Sequence, residues 1–279
     1  MRTFNHPAIF AAAALTYWER DPLFSLLQRA LTQGLIERVE ARIASQVAPP
    51  LMLAHAAGSP PWFGLRTDVE RPINLVGDAP PNGQTIADIQ EQYPNLVGVN
   101  GEQQLAYSFA KAYGREFRLQ NDLLLYALNR PAWQAQNFSC SGSLRLATMA
   151  ELDLATDWVR DFIYFIQEVG HSANYRERAR EIISAGQLYF YCLDGQPVSM
   201  AASTRQAGGT AAINYVFTPE IYRGHGYATA GVGALCEHLL QAYDQLMLYA
   251  DAHYAASNAV YRKLGFEEGG VGVELVFVG

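Results

Sequence analysis

Apolar residues recur along the chain with two different spacings, and this pattern predicts a mixed α/β architecture. Residues 8–18 and 19–34 show the three- and four-residue spacing of packed helices. Short apolar runs at 49–67 and 71–78, interrupted by Gly, Pro and Asp, predict strands joined by turns. We also predict two helices within 85–114, the second from near Asn100 to Gly114, and then a strand over 116–129.

The second half of the chain has clearer boundaries. Three strands are expected between residues 188 and 219, and the pairs Asp194-Gly195 and Gly208-Gly209 are typical hairpin turns, so these strands should form an antiparallel meander. The other predicted elements are a strand at 144–149, helices at 153–170 and 174–186, a helix ending near Tyr243, a strand at 245–251, a short helix at 256–265 and strand material from 266 to 278.

A polar, turn-rich stretch at 130–143 separates the two sets of elements, and we place a domain boundary there. The predicted domains are residues 1–135 and 143–279. Each has its own strands and helices, so the fold class expected for the whole chain is α/β, of the α+β type.

Composition limits the classes of function. The 279 residues are 50% apolar, and 20 Lys and Arg against 27 Asp and Glu give a net charge of −7, which argues against a nucleic-acid-binding protein. Cys140, Cys192 and Cys236 lack the spacing of a zinc site, so we expect reduced thiols in a cytoplasmic protein and no metal. The apolar stretch 8–18 is far shorter than the ~20 residues that span a bilayer, and we interpret it as a packed helix, not a targeting segment.

The stretch YRGHGYATAGVGAL, residues 222–235, indicates an anion site. Gly224 and Gly226 allow positive φ and close approach of the backbone, and Ala228 keeps the first helical turn thin. The N-terminus of the helix that follows presents free N–H groups and a partial positive charge, so the expected guest is a phosphate or pyrophosphate. Arg223 is positioned either to contact the phosphates or to brace the loop.

Three kinds of phosphate loop compete for this stretch. A dinucleotide fingerprint counted from Gly224 requires glycine or alanine where the chain has Thr229, and a preceding parallel strand. A Walker loop requires a Gly-Lys-Ser/Thr end, which is absent. The remaining pattern is R-x-x-G-x-A, spelt Arg223-Gly-His-Gly-Tyr-Ala228.

With this loop, the chain resembles the GNAT family of acyl-CoA N-acyltransferases, in which the loop grips the pyrophosphate of coenzyme A. A second signature, ASNAVYRKLGFE, follows at the expected spacing. The resemblance covers about residues 143–279 and implies a mixed, mostly antiparallel sheet flanked by helices. The whole chain also resembles a two-domain subgroup of predicted acetyltransferases, whose first half is a degenerate GNAT-like α/β domain; residues 93–114 carry that similarity.

The resemblance implies how coenzyme A would be held. The strands 212–217 and 246–250 would splay apart to admit the pantetheine arm, and Asn258 would hydrogen-bond that arm. Val216 and Phe217 would offer backbone groups to it, and one N–H there would polarise the thioester carbonyl. The implied cofactor-binding residues are Val216, Phe217, Arg223, Gly224, His225, Gly226, Tyr227, Ala228, Thr229, Asn258 and Tyr261.

The resemblance also implies that the Tyr261 hydroxyl protonates or solvates the departing thiolate. The base is open among Glu220, Asp251 and His253, each of which also fits an ordinary turn or strand-end role. The family often uses an acidic residue on the strand before the loop, but AAINYVFT has none. Because that carboxylate is missing, Asp251 acting through a water chain is the preferred assignment.

The function expected from these features is acetyl transfer from acetyl-CoA to a primary amine on a small molecule or peptide. The alternative is a CoA-binding regulatory or interaction module without catalysis. Residues 152–186 should form a helical lid on the acceptor side. We expect no nucleic-acid or membrane partner, and a homodimer is compatible with this reading.

Overall fold

The computed structural model describes residues 1–41, 50–134, 141–166 and 174–278. Its contacts divide the chain into two compact units, one of Met1–Leu124 with Gly270–Gly279 and one of Leu125–Gly269. Most of the last strand therefore groups with the first unit, although the predicted boundary places it in the second domain. The exact domain ranges, 1–135 and 143–279, stay a prediction. Residues 135–140 of the predicted linker, including Cys140, lie outside the described residues.

The first unit contains helices on both faces of a small sheet. Strand order is β1-β2-β3-β4-β5-β12, antiparallel except for β4 and β5, which run parallel because helix α3 connects them. The elements are β1 (Arg2–Thr3), α1 (Pro7–Arg20), α2 (Pro22–Glu40), β2 (Leu51–Ala54), β3 (Trp62–Arg66), β4 (Ile73–Gly77), α3 (Gly83–Gln92), β5 (Gly98–Glu102), α4 (Gln103–Tyr113) and β12 (Glu267–Phe277). Strand β6 (Phe117–Asn129) begins in this unit and continues into the second one after Leu124.

Strand β2 shows why the first unit has two cores. All four of its residues are buried, as expected for a strand that is covered on both faces. Leu51 and Leu53 pack with residues of α3 and α4, whereas Met52 and Ala54 pack with Phe10 and other residues of α1. Because successive side chains of a strand point to opposite faces of the sheet, this single apolar run contributes to a hydrophobic core on each face.

The second unit has the same kind of sheet. Strand order is β6-β11-β10-β9-β8-β7, with antiparallel pairing from β7 to β10 and a parallel pair β10 and β11 that helix α7 connects. Its other elements are β7 (Ser143–Leu146), α5 (Leu152–Ile166), α6 (Tyr175–Ser184), β8 (Leu188–Leu193), β9 (Gln196–Ala207), β10 (Thr210–Phe217), α7 (Tyr227–Leu239), β11 (Gln245–Asp251) and α8 (Ala255–Lys263).

Hairpin turns and alternating strands place the helices of the second unit. Asp194 and Gly195 have φ of 48° and 80°, and Gly208 and Gly209 have 57° and 80°, which are the left-handed values that a tight hairpin requires. Phe190 packs with α5 and α6 on one face of the sheet, and its neighbour Tyr191 packs against α7 on the other. The sheet of the second unit therefore has helices on both faces.

The predicted fold class is confirmed, and so is the antiparallel meander. One prediction was wrong: Asn100 lies in strand β5, and the helix begins at Gln103. The Glu102 carboxylate caps this helix by accepting a hydrogen bond from the Leu105 N–H, 2.9 Å away. Helix α7 ends at Leu239, four residues before the predicted end, and residues 167–170 of the predicted lid helix lie outside the described range.

The described residues contain no helix long and apolar enough to cross a membrane. Within the same residues no group of three or more metal-binding side chains comes together. Cys192 and Cys236 are buried and not in disulfides, as expected.

Candidate active site

The N-terminus of helix α7 has the geometry of an anion site. Gly224 and Gly226 adopt φ of 79° and 81°, which residues with a side chain rarely adopt. Gly226 is the N-cap, and since glycine has no side chain the helix start has no side-chain cap. A Cβ added at Gly224 would meet no atom within 4 Å, so there is room for a ligand beside the backbone. The first-turn N–H groups can therefore donate hydrogen bonds to an anion of pyrophosphate size.

Helix α3 of the first unit occupies the matching place in its own sheet, between the parallel strands β4 and β5. There the N-cap residue itself caps the helix, because the Asn82 side chain accepts a hydrogen bond from the Thr85 N–H at 2.9 Å. The preceding loop, Asp78-Ala-Pro-Pro-Asn82, has no glycine pair and contains a carboxylate. The open helix start thus belongs to the second unit.

Strands β10 and β11 stop pairing with each other before either strand ends. Their parallel pairing ends at Ala212 and Met247, although β10 continues to Phe217 and β11 to Asp251. The ends of the two strands beyond this pairing are here called the arms, and the space between them is called the slot; the arm of β10 still pairs with β9 on its other side. Such a slot exposes backbone groups that a pantetheine arm can use as a further strand would.

An irregularity in β10 accompanies this loss of pairing. The pairing of β10 with β9 shifts register twice, between Ala212 and Asn214 and between Asn214 and Phe217. Tyr215 has φ of 51°, a strained value for an aromatic residue. Its hydroxyl accepts a hydrogen bond from Arg178 Nε at 2.9 Å. The sequence gives no signal for this bulge, because tyrosine is a normal strand residue.

The side chains of the loop brace it. Arg223 Nε donates to the Thr218 carbonyl at 2.9 Å, so the bracing role is the one that the structure favours for this side chain. His225 Nδ1 lies 2.8 Å from the Arg223 carbonyl oxygen, and its ring stacks on Tyr227 with centroids 5.5 Å apart. These contacts fix the backbone of the loop, while the residues from 223 to 226 stay exposed.

Asn258 is buried and connects helix α8 to the end of β11. Its Nδ2 donates to the Asp251 carbonyl at 3.0 Å and to the Ala252 carbonyl at 3.4 Å. Its Oδ1 is buried and has no hydrogen-bond partner in the described part of the chain. Buried acceptors are normally satisfied, so this oxygen is a candidate for accepting a pantetheine N–H.

Tyr261 lies on the same face of α8 as Asn258, but among aromatic side chains. Its ring is 5.7 Å from that of Tyr126 and 6.1 Å from that of Phe266. Burial, with smaller effects of Cys236 and Tyr126, raises the pKa of the Tyr261 hydroxyl. Tyr261 therefore lies in an apolar, aromatic environment.

The candidate bases lie near the ends of the two arms. Glu220 is exposed in a single 3₁₀ turn after β10, and Asp251 is exposed at the end of β11. The Asp251 carboxylate accepts a hydrogen bond from the His253 N–H at 2.8 Å, which is a turn-forming contact. The structure brings Asp251 and Asn258 together, whereas Glu220 follows the other arm. Their catalytic roles, like those of Val216, Phe217 and Tyr261, stay predictions.

The comparisons with known proteins agree with this geometry. Residues 152–266 match the model of the Acetyltransferase (GNAT) family. The fold is similar to a Drosophila protein (TM-score 0.68, 11% identity, 99% of this chain and 98% of that one). It is also similar to a GCN5-related N-acetyltransferase from Kribbella flavida, with a TM-score of 0.57 and 17% identity over 82% of this chain and 90% of that one. A third similar structure is a tandem GNAT protein from the clavulanic acid biosynthesis pathway, with a TM-score of 0.53 and 13% identity over 88% of this chain and 86% of that one. A search of curated proteins finds no match.

Proposed function

Because residues 152–266 form a domain of the acetyltransferase (GNAT) family, whose members are acyltransferases, we propose that this protein moves an acetyl group from acetyl-CoA to a primary amine by direct transfer. The observation that carries the proposal is the open start of α7. Two left-handed glycines precede it, no described side chain caps it, and β10 and β11 stop pairing at the same end of the sheet.

Each part of the site has a use in this reaction. The first turn of α7 would bind the pyrophosphate, and the binding energy of this remote handle would fix the position of the thioester. Bound acetyl-CoA supplies the thioester carbonyl carbon that the amine attacks. The unpaired Oδ1 of Asn258 would accept a hydrogen bond from the arm of the cofactor. A backbone N–H at Val216 or Phe217 would polarise the carbonyl group.

The transfer balances in protons as well as in bonds. The acceptor first loses one proton to water to become a neutral amine; a nitrogen–carbon bond then forms, the carbon–sulfur bond breaks, and the attacking nitrogen loses a second proton. Asp251 would take this proton through water, and the departing thiolate would be stabilised by the Tyr261 hydroxyl.

The test of the donor site is Gly226→Glu, which adds bulk and a negative charge where the pyrophosphate would lie. We expect acetyl-CoA binding to be lost in calorimetry while the circular dichroism spectrum is unchanged. Gly186→Glu is the matched control, because Gly186 is also left-handed, with φ of 65°, and a Cβ there meets no atom within 4 Å. If Gly226→Glu binds acetyl-CoA as the wild type does, the assignment of the loop is wrong.

One observation favours the non-catalytic alternative. Strand β10 contains no carboxylate, and the two candidate carboxylates are exposed at the ends of the arms. Release of free thiol from acetyl-CoA in the presence of amines separates the two functions. The cytoplasmic location, the homodimer and the lack of nucleic-acid and membrane partners stay predictions from the sequence.

A further inference from the structure

Helix α5 carries a row of aromatic side chains on one face. Trp158, Phe162 and Phe165 are spaced four and three residues apart, so they lie along the same side of the helix. Trp158 is buried, Phe162 is half-buried and Phe165 is 47% exposed. The row therefore begins in the core and ends at the surface.

This aromatic row crosses from one arm of the slot to the other. On the side of β10, the ring of Trp158 lies 6.2 Å from that of Phe217, and the ring of Phe162 lies 5.1 Å from that of Tyr215. On the side of β11, Phe165 lies 5.0 Å from Tyr254, three residues after the end of that strand. Since the same helix contacts both sides, its C-terminal half spans the slot on this face of the sheet.

The open end of the slot has carboxylates as well as aromatic rings. Asp251 ends one arm, its backbone carbonyl accepts a hydrogen bond from the Tyr254 N–H at 3.2 Å, and Glu220 follows the other arm. The cation nearest to these rings in the contacts described is Arg178, and it already has partners: it donates to the Tyr215 hydroxyl and forms an ion pair with Glu181 at 3.3 Å. Phe165 is exposed and Tyr254 half-buried, so this aromatic pair is partly accessible, and together with a carboxylate it suits an ammonium group with an apolar substituent.

We propose that Phe165 and Tyr254 form the acceptor-binding wall, and that the acceptor is an arylalkylamine-like primary amine without a neighbouring carboxylate. This inference rests on the proposed acetyl transfer and narrows its substrate class. The two rings contact the apolar part of the acceptor, and Asp251 draws the ammonium to the open end of the slot. Phe165 and Tyr254 are specificity-determining residues in this arrangement, because they do not touch the reacting atoms.

Three related amines test the proposal, with thiol release measured at saturating acetyl-CoA. 2-Phenylethylamine carries both proposed features, ethylamine lacks the ring, and phenylalanine adds a carboxylate. We expect the highest kcat/KM for 2-phenylethylamine. Phe165→Ala and Tyr254→Ala should each raise its KM by about 3- to 10-fold, the size expected for one lost aromatic contact. The KM for ethylamine and for acetyl-CoA should stay unchanged.

Tyr164→Ala is the matched control. Tyr164 is the neighbour of Phe165 on α5 and is 67% exposed, but its ring lies against Tyr175, at 5.9 Å, and not against Tyr254. The control should keep the wild-type KM for all three amines. An equal loss in Tyr164→Ala would mean that the effect is general to the helix end and would overturn the proposal.

The remaining outcomes separate this inference from the proposed function. Turnover without a preference for 2-phenylethylamine over ethylamine, or a preference for phenylalanine, overturns the acceptor class and leaves acetyl transfer standing. Acetyl-CoA binding in calorimetry without thiol release for any amine overturns both and supports the non-catalytic module. Loss of the preference in the two variants, with an intact control, supports the proposal.

Discussion

Asn258 combines a structural role with a proposed ligand role, and Asn258→Ala is expected to reveal both. The side chain is 2% exposed, and its amide nitrogen connects α8 to the carbonyls of Asp251, the last residue of β11, and of Ala252, which follows it. The amide oxygen has no partner among the described residues. Removing the side chain therefore affects the free protein through the nitrogen and the complex with acetyl-CoA through the oxygen.

The two effects differ in size. Loss of the donor leaves the Asp251 and Ala252 carbonyls without this partner, which should lower the free energy of unfolding of the unit by about 1–3 kcal/mol. Loss of the acceptor removes one hydrogen bond to the cofactor, worth about 0.5–1.5 kcal/mol, so the affinity for acetyl-CoA should fall by about 2- to 10-fold.

Urea unfolding followed by circular dichroism measures the first effect, and calorimetry at 25 °C measures the second. Asn74→Ala is the control, because Asn74 is also buried, donates through Nδ2, to Asn100 at 2.8 Å, and has an unpartnered Oδ1, but lies in the first unit. It should lower stability without changing the affinity. An Asn258→Ala variant that binds acetyl-CoA as tightly as the wild type would refute the ligand role, whatever its stability.

Two further predictions concern Tyr261 and Glu151. Tyr261→Phe keeps the ring packing against Tyr126 and should lower the rate of thiol release far more than acetyl-CoA affinity; an unchanged rate would remove Tyr261 from the mechanism. Hydrogen bonds from Arg145, with further ones from Thr148, lower the pKa of Glu151 from 4.5 to about 2. Because the folded-state pKa is lowered, the carboxylate adds stability above about pH 4.5 and loses it as the pH falls towards 2. Glu151→Gln should therefore be less stable than the wild type at pH 7, with a smaller difference at pH 3 in urea unfolding; a constant difference would contradict the pairing.

The features that the sequence predicted well are those that depend on neighbouring residues. The turns at Asp194-Gly195 and Gly208-Gly209 have the left-handed backbone that their residue types favour. The loop before α7 is equally local, because Gly224 and Gly226 are needed for its conformation wherever the rest of the chain lies. Strand β5 was missed because Gly98, Asn100 and Gly101 are poor strand formers, and pairing with β4 and β12 overrides that preference.

The features that the sequence did not predict depend on distant parts of the chain. The bulge at Tyr215 uses a residue type that normally avoids positive φ, and Arg178, 37 residues earlier, binds its hydroxyl. The contact of Phe165 with Tyr254 joins residues that are far apart in sequence, and each alone is an ordinary aromatic residue. The proposed acceptor side thus depends on tertiary contacts, for which a single sequence has no local pattern.

Comparison of the two units shows where the proposed donor site differs from the rest of the shared architecture. Both units connect parallel strands through one helix, α3 or α7, so the connection itself does not define a cofactor site. The helices differ at their first turn, where Asn82 satisfies an N–H group of α3 and a left-handed Gly226 leaves the start of α7 without a side-chain cap. A polar cap stabilises a helix by about 1 kcal/mol, and a helix that lacks one depends on water or a ligand at these groups. The two units therefore share this connection, and the ability to bind an anion depends on the few residues before α7.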